Sequence, residues 1–299
     1  MHNNPLVTVV CLCYNHAKFI VEALDSVLSQ TYKNIELIIV DDCSTDNSVQ
    51  VIEEWCSQHP EVPFLSNKVN LGNTKSFNQA LKLAKGDYII DLAADDYLVE
   101  NCVELQLDKF QKSLYPNLGI VYGNVELVDE NDEHIAYFFG VDKNKKIIKP
   151  EPTGDVYIGL LNLENNVCSV SSMVKRELYD KFNGYNENLA YEDYDFWLKS
   201  ARLYNFDFID CILVKKRELK SSLTALRIKK LNKKTRHFNF SSYQILVNTL
   251  NLNQSKAENK AILKRIHYEM WLCLKTIDPI LLMRYILLEI KIRVLLLRS

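Results

Sequence analysis

The sequence predicts an α/β fold, a Rossmann-like, mainly parallel sheet flanked by helices, followed by a helical C-terminal extension. Three observations predict it. Between residues 6 and 92, apolar runs rich in β-branched residues alternate with stretches of helical period. Three of those runs end in polar side chains: Tyr14 and Asn15, Asp41 and Asp42, Asp95 and Asp96. Beyond residue 240 the whole pattern is helical. Strands alternating with helices of about a dozen residues imply right-handed βαβ crossovers and parallel pairing.

The first run, LVTVVCL (6–12), is apolar without alternation, as in a strand buried on both faces. In FIVEALDSVLSQ (19–30), Ile20, Ala23, Leu24, Val27 and Leu28 recur at helical spacing, so a helix follows. NIELIIVDD (34–42) is the second strand. A helix over SVQVIEEWCSQ (48–58), a weaker strand at VPFLSN, a helix over TKSFNQALKLAKG (74–86) and a strand over DYIIDL (87–92) repeat the unit. Ligands of such sheets bind beyond the carboxyl ends of the strands, so the three polar strand ends are expected at one crevice.

After residue 100 come a helix in VELQLDKFQK, a strand in IVYGNVELVD (120–129) and a polar stretch to about residue 152. Two helices follow within 178–203, the second opening near Glu192 and Asp193, and closing strands lie in FDFIDCILV (206–214). The shift of pattern places an α/β domain at 1–220 and a helical extension at 221–299.

Hydrophobic residues make up 47% of the chain and charged residues 25%, enough to bury a core. The net charge of -2 argues against a dedicated nucleic-acid binder. A local run, RIKKLNKKTR from Arg227 to Arg236, concentrates six positive charges. It reads either as a solvated helix face or as a contact for phosphates or lipid headgroups. None of the eight cysteines falls in a CxxC pair, and Cys11 and Cys13 share one face of a strand, so a reduced, cytoplasmic compartment is expected. The N-terminus MHNNPLVTVV carries no signal-peptide pattern, and no run reaches the roughly 18 apolar residues of a membrane span.

Asp95 and Asp96 stand at the tip of the apolar run YIIDL, where adjacent carboxylates repel and raise each other's pKa. One reading is a solvated loop in which Asp caps a helix starting near Leu98. The other is a site for a hard divalent cation, Mg²⁺ or Mn²⁺, which takes one or two protein carboxylates and completes its shell with phosphate and water. Glu192 and Asp193 likewise read either as first-turn acids meeting the positive end of a helix or as functional groups.

Four separated motifs, VTVVCLCYN, ELIIVDDCSTDNS, NLGNTKSFNQALKLAKGDYIIDLAADDYL and GYNENLAYEDYDFWLKSARL, together resemble the family 2 glycosyltransferases of GT-A fold over residues 5 to 215. The resemblance implies an inverting, metal-dependent transfer of a sugar from a nucleoside diphosphate, with a UDP-sugar as the first choice of donor, to an acceptor hydroxyl. It implies that Tyr14 packs on the nucleobase, that Asn15 lies with it among the donor-binding residues, and that Asp42 accepts from the base. Asp95 then faces the ribose, Asp96 the Mn²⁺ or Mg²⁺, and Asp193 acts as catalytic base; Glu192 would bind acceptor or set the loop. Asp41 is expected to support its loop, and Asp195, Phe196 and Trp197 to serve the fold, with Trp197 packed inward.

Two departures stand out. Ala93 occupies the first acidic position of the family's D-x-D-D, and in VKKRELKSSLT (214–224) Leu219 stands where members show a histidine near the metal. No histidine ligand is therefore carried over, and Lys215, Lys216, Arg217 and Lys220 are candidates to neutralise phosphates instead. Lys75 reads as an exposed lysine, and Gly72 and Gly86 as turn or helix-end glycines. The tail DPILLMRYILLEIKIRVLLLRS reads as either a packed helix or a peripheral contact with the inner membrane face, since no clean amphipathic face emerges. The expected partners are a nucleotide sugar and a saccharide or lipid-linked saccharide acceptor, with no nucleic acid. The expected setting is surface polysaccharide assembly, O-antigen, capsule or lipooligosaccharide. A polyprenyl-phosphate sugar transferase and a non-catalytic nucleotide-sugar binder are the alternatives.

Overall fold

The computed structural model describes residues 4–164, 167–219 and 232–298. Lys220 and residues 227–231 of the basic run lie outside the described residues, as does the start of the proposed extension. The chain forms two compact units: one of residues 1–154, 167–185 and 205–219, the other of 155–166, 186–204 and 220–299. The sequence pattern drew the boundary near 220, whereas the compact units also place two earlier segments with the C-terminal helices.

The first unit is built on a sheet of nine strands among the described residues. β1 (Val7–Cys13) is buried at every residue and pairs in parallel with β2 (Ile35–Asp41) and β4 (Tyr88–Ala93). β3 (Phe64–Ser66) extends β2 in parallel. The intervening helices are α1 (Ile20–Leu28), α2 (Ser48–Gln58) and α3 (Asn73–Leu81). Both neighbours of β1 are strands and helices α1 and α3 pack against it, which is why its sequence shows no polar alternation.

The rest of the sheet is mixed. β5 (Tyr97–Leu98), β6 (Leu118–Val128), β7 (His134–Tyr137), β8 (Met173–Lys175) and β9 (Asn205–Arg217) complete it, with the helices α4 (Cys102–Lys112) before β6 and α6 (Arg176–Phe182) after β8. β8 runs antiparallel between β4 and β6, β9 is parallel to β6, and β5 is antiparallel to β9. The expected helix near Leu98 does not form. α4 opens at Cys102 with Asn101 at its N-cap position, so neither Asp95 nor Asp96 caps a helix.

Gly86 sits where β1 passes: a Cβ there would come within 2.5 Å of the Thr8 backbone nitrogen, so close strand packing, not a helix end, demands glycine. Gly72, at φ 86°, occupies the N-cap position of α3, where the left-handed backbone suits glycine.

Asp91, half-buried on β4, accepts from the Tyr185 hydroxyl at 3.4 Å, and the loss of solvation there pushes its carboxyl up to about 7. A folded-state pKa above the unfolded value penalises the folded state once the group ionises. The penalty is absent at low pH, grows as pH rises from about 4 towards 7, and is full above that. Asp91→Asn keeps an acceptor and removes the charge. It is expected to raise Tm by about 4–8 °C at pH 8 and by little at pH 4, read by thermal melts across pH.

In the second unit, α5 (Tyr157–Leu161) and α7 (Asp193–Ala201) accompany α8 (Lys233–Leu250), α9 (Lys256–Thr276) and α10 (Pro279–Arg298). A capping box of Ser255 and Glu258 starts α9. Glu258 also pairs with Arg202, whose guanidinium lies 4.3 Å from the Tyr157 ring centre. The buried pair Arg265–Glu269, at 2.8 Å, sits under Tyr194.

Candidate active site

At the carboxyl edge of the parallel strands, the loops after β1, β2 and β4 are tied to one another. Asn15, at φ 60°, turns the chain after β1. Its side-chain oxygen accepts the Thr45 N–H at 2.7 Å and the Asp46 N–H at 3.3 Å, and its own N–H donates to Ser44 Oγ. The His16 N–H donates to Ser48 Oγ at 3.0 Å, while Asp46 takes the Ala17 N–H. On the other side, His16 Nδ1 lies 3.5 Å from Asp95 Oδ1 in the loop after β4. Tyr14 is 45% exposed at this rim, available to a planar ligand.

The two carboxylates at the end of β2 are structural anchors in this state. Asp41 is fully buried and takes both the N–H and the hydroxyl of Ser44, the loop support expected of it. Asp42 is 6% exposed. Its Oδ1 accepts from Leu71 N–H, Ser76 Oγ and Asn67 Nδ2 at 2.8–3.0 Å, and its Oδ2 accepts the Gly72 N–H at 2.8 Å. Asp42 thereby fixes the segment that begins α3, where Thr74 and Ser76 are buried and Lys75 is exposed as expected.

After β4 the chain turns tightly, with the Asp96 N–H on the Ala93 carbonyl. Asp96 is 2% exposed, and burial followed by the charge of Asp95 pushes its carboxyl well above the usual range. The antiparallel pairing of β5 with β9 brings Arg217 to this turn. The Arg217 N–H donates to Asp96 Oδ1 at 2.9 Å, and its guanidinium reaches the Asp95 carbonyl at 2.9 Å. The same guanidinium binds Glu22 and Asp132 and lies 4.6 and 4.9 Å from the ring centres of Phe19 and Tyr97.

Arg217 is thus a buried brace for the Asp95–Asp96 turn, not a cation turned towards a ligand. Lys216 pairs with Glu218 at 2.8 Å, and Lys215 lies over the Tyr97 ring. The sequence singled out Arg217 but read it as a phosphate contact, because its partners Glu22 and Asp132 are remote in the chain. His16 went unread altogether, although it follows the CYN motif directly.

Among the described residues, no group of three or more His, Cys, Asp and Glu side chains is arranged to hold a metal by itself. Two adjacent carboxylates on one turn, Asp95 and Asp96, can when ionised supply the one or two protein oxygens of a hard divalent cation that draws its other ligands from a diphosphate and water.

Asp193 opens α7 in the second unit, as the sequence predicts, and its Oδ1 takes the Tyr194 N–H at 2.7 Å. The residues around it are pinned by their neighbours. The Tyr191 hydroxyl meets Ser242 Oγ at 2.7 Å, the Ala190 N–H donates to Ser241 Oγ, and the Tyr194 hydroxyl donates to the Leu160 carbonyl. Asp195 is buried and paired with Lys199, and Trp197 is packed inward, both in the fold roles expected.

The model of glycosyl transferase family 2 matches residues 8–181, more than half of the chain. The chain belongs to glycosyl transferase family 2. Within the family it is similar to a chondroitin synthase of Escherichia coli, 32% identical over 211 residues that cover 70% of this chain and 28% of that protein. The chain spans about a third of the length of several curated relatives that it matches. Its fold is similar to that of Staphylococcus aureus TarS 1-349 in complex with UDP-GlcNAc, at TM-score 0.65, 18% identity, and coverage of 86% of this chain and 70% of that one. It is similar also to the mannosyltransferase PcManGT of Pyrobaculum calidifontis in complex with GDP-Man and Mn2+, at TM-score 0.61, 20% identity, and coverage of 92% and 74%. These likenesses establish a GT-A-like fold.

Proposed function

We propose that the protein is a metal-dependent inverting glycosyltransferase that moves a sugar from a nucleoside diphosphate to an acceptor hydroxyl. The observation that carries this reading is the joining of the loops after β1, β2 and β4 through Asn15 and His16, in a chain of this family. The edge they form is where an α/β sheet binds nucleotides. A UDP-sugar is the preferred donor, in line with the UDP-GlcNAc bound by one structural neighbour, although another binds GDP-Man.

In this reading Tyr14 stacks on the base and Asn15 shapes the loop beneath it. Asp42 accepts from the base through Oδ2, which takes only one of its four described protein bonds. Asp95 meets the ribose and Asp96 holds Mn²⁺ or Mg²⁺, which supplies positive charge against the leaving diphosphate. Asp193 removes the acceptor proton as the hydroxyl attacks the anomeric carbon opposite the departing diphosphate, so one displacement inverts the configuration. The acceptor is a saccharide or lipid-linked saccharide of a surface polysaccharide, handled at the cytoplasmic face of a membrane.

A thermal-shift screen of UDP-, GDP-, TDP- and CMP-sugars with and without Mn²⁺ tests this. A UDP-sugar with Mn²⁺ at about 100 times Kd adds about 2.7 kcal/mol, a rise of roughly 5–10 °C in Tm. Asp96→Asn is expected to abolish the Mn²⁺-dependent part of that rise while the metal-free protein stays folded. No rise with any nucleotide sugar would remove the donor assignment; binding without turnover on a broad acceptor panel would favour a non-catalytic binder.

A further inference from the structure

The helix α10 of the second unit carries a feature that a linear reading of the tail obscures. Leu281, Tyr285, Leu288 and Ile292 form its buried face, against α8 and α9. A second apolar face is left in solvent: Ile280, Met283, Leu287, Ile290, Val294 and Leu297 are exposed, the first four each by more than half. Their spacing alternates three and four residues, so they form one stripe along about five turns.

The charge flanking the stripe is mainly of one sign. Arg284 and Lys291 lie along one flank and Arg293 along the other, while Glu289, the single acid of the helix, is taken up by His267 and Arg293. At the N-terminal end the stripe runs, at Ile280, into a cavity of about 370 Å³ lined in part by Lys233, Arg236, Phe240, Asp278 and Arg284. Three basic side chains, Lys233, Arg236 and Arg284, share it with one carboxylate. That carboxylate, on Asp278, spends Oδ1 on the Leu281 N–H that starts α10, and Oδ2 lies 3.6 Å from Arg236 Nε. The Arg284 guanidinium lies 4.9 Å from the Phe240 ring centre.

We propose that this face docks on a bilayer containing anionic phospholipid, with the stripe of α10 in the acyl boundary and a phosphate headgroup in the cavity at its start. Exposed apolar residues flanked by long cationic side chains are what an interfacial helix needs: the apolar face sinks while Arg and Lys keep their charges at the headgroups. No helix among the described residues is long and apolar enough to cross a membrane, so the contact is peripheral.

A second copy of the chain is a poorer occupant. A two-fold pairing would set Arg284 and Lys291 against the same cations of the partner, with no free acid on α10 to answer them. The proposal deepens the reading of a membrane-borne acceptor and rests on it for its purpose, but lipid contact itself requires neither donor nor turnover.

Co-sedimentation of the full chain with phosphatidylcholine vesicles, with and without phosphatidylglycerol, is the test. Each cation near an anionic surface contributes about 1 kcal/mol, so Arg284→Ala with Lys291→Ala is expected to weaken binding to the anionic vesicles about tenfold or more and to leave the neutral vesicles unaffected. Leu287→Glu, on an exposed position, is expected to weaken binding to both. If Leu287→Glu lowers Tm, the cation pair alone decides the matter. Asp193→Asn is expected to bind vesicles like the unaltered protein, which separates this idea from the enzymatic one. Equal binding to both vesicle types, or a dimer in sedimentation velocity that Leu287→Glu dissolves without any vesicle binding, would overturn the proposal.

Discussion

Asp193→Asn is expected to lower sugar transfer about 10²–10⁴-fold while the thermal shift produced by donor and Mn²⁺ stays intact. A hydroxyl is too weakly acidic to attack without a base, and Asn offers the same shape with no basic oxygen. Loss of transfer with donor binding retained is the pattern of a group acting on the acceptor in the transition state, not on the donor in the ground state. Two features make the substitution interpretable. The residues on both sides are anchored independently, Tyr191 through Ser242 and Tyr194 through Leu160. The side chain accepts its neighbour's N–H at 2.7 Å, a bond that Asn can also accept. A steady-state assay with the donor held saturating, beside thermal shifts on the same preparation, reads both quantities. A variant that still transfers at the unaltered rate would move the base to another residue, with Glu192 the first to examine.

The parallel half of the sheet was legible because burial on both faces leaves β1, β2 and β4 with continuous apolar runs, and α2 runs over the span its periodicity predicts. β8 was not, since three residues held between β4 and β6 carry no period of their own. α5, with five residues, is likewise below the length at which a helical repeat can be read. The polar strand ends do meet at one edge of the sheet, as their positions in the sequence predict, but the division of labour among them did not follow from residue type. Asp42 looks in sequence like an open carboxylate, and only the fold shows four donors upon it. Arg217 looks like a ligand cation until Glu22 and Asp132, 195 and 85 residues away, arrive beside it. The tail stayed open for a related reason: charges set between two apolar stripes show no single polar face, and which stripe is buried is decided by α8 and α9.

Arg217→Met should destabilise the protein and, separately, loosen the donor site. Its side chain is about 1% exposed, stacked between Phe19 and Tyr97 and bonded to Glu22 and Asp132. Both acids are more than two-fifths exposed, so water takes over much of their solvation once the arginine is gone, and the ion pairs alone account for little. The larger part comes from two stacked rings and from the hydrogen bond to the Asp95 carbonyl, which methionine cannot make. Together these suggest a loss of about 2–3 kcal/mol, or roughly 4–10 °C in Tm. The Arg217 N–H bond to Asp96 survives any side-chain replacement, so Asp96 keeps one partner while the turn around it loses its brace. Donor binding in the presence of Mn²⁺ is therefore expected to weaken more than binding of the nucleoside alone, since the loosened turn carries both Asp95 and Asp96, whereas the nucleoside draws on Asp95 but keeps Tyr14 and Asp42. Arg217→Lys should recover little, because an ammonium neither stacks as a plane nor reaches three oxygens in a fork. A melt and a donor titration with and without Mn²⁺ measure the two effects. An unchanged Tm would show that the guanidinium braces nothing, and the phosphate-contact reading of this arginine would return.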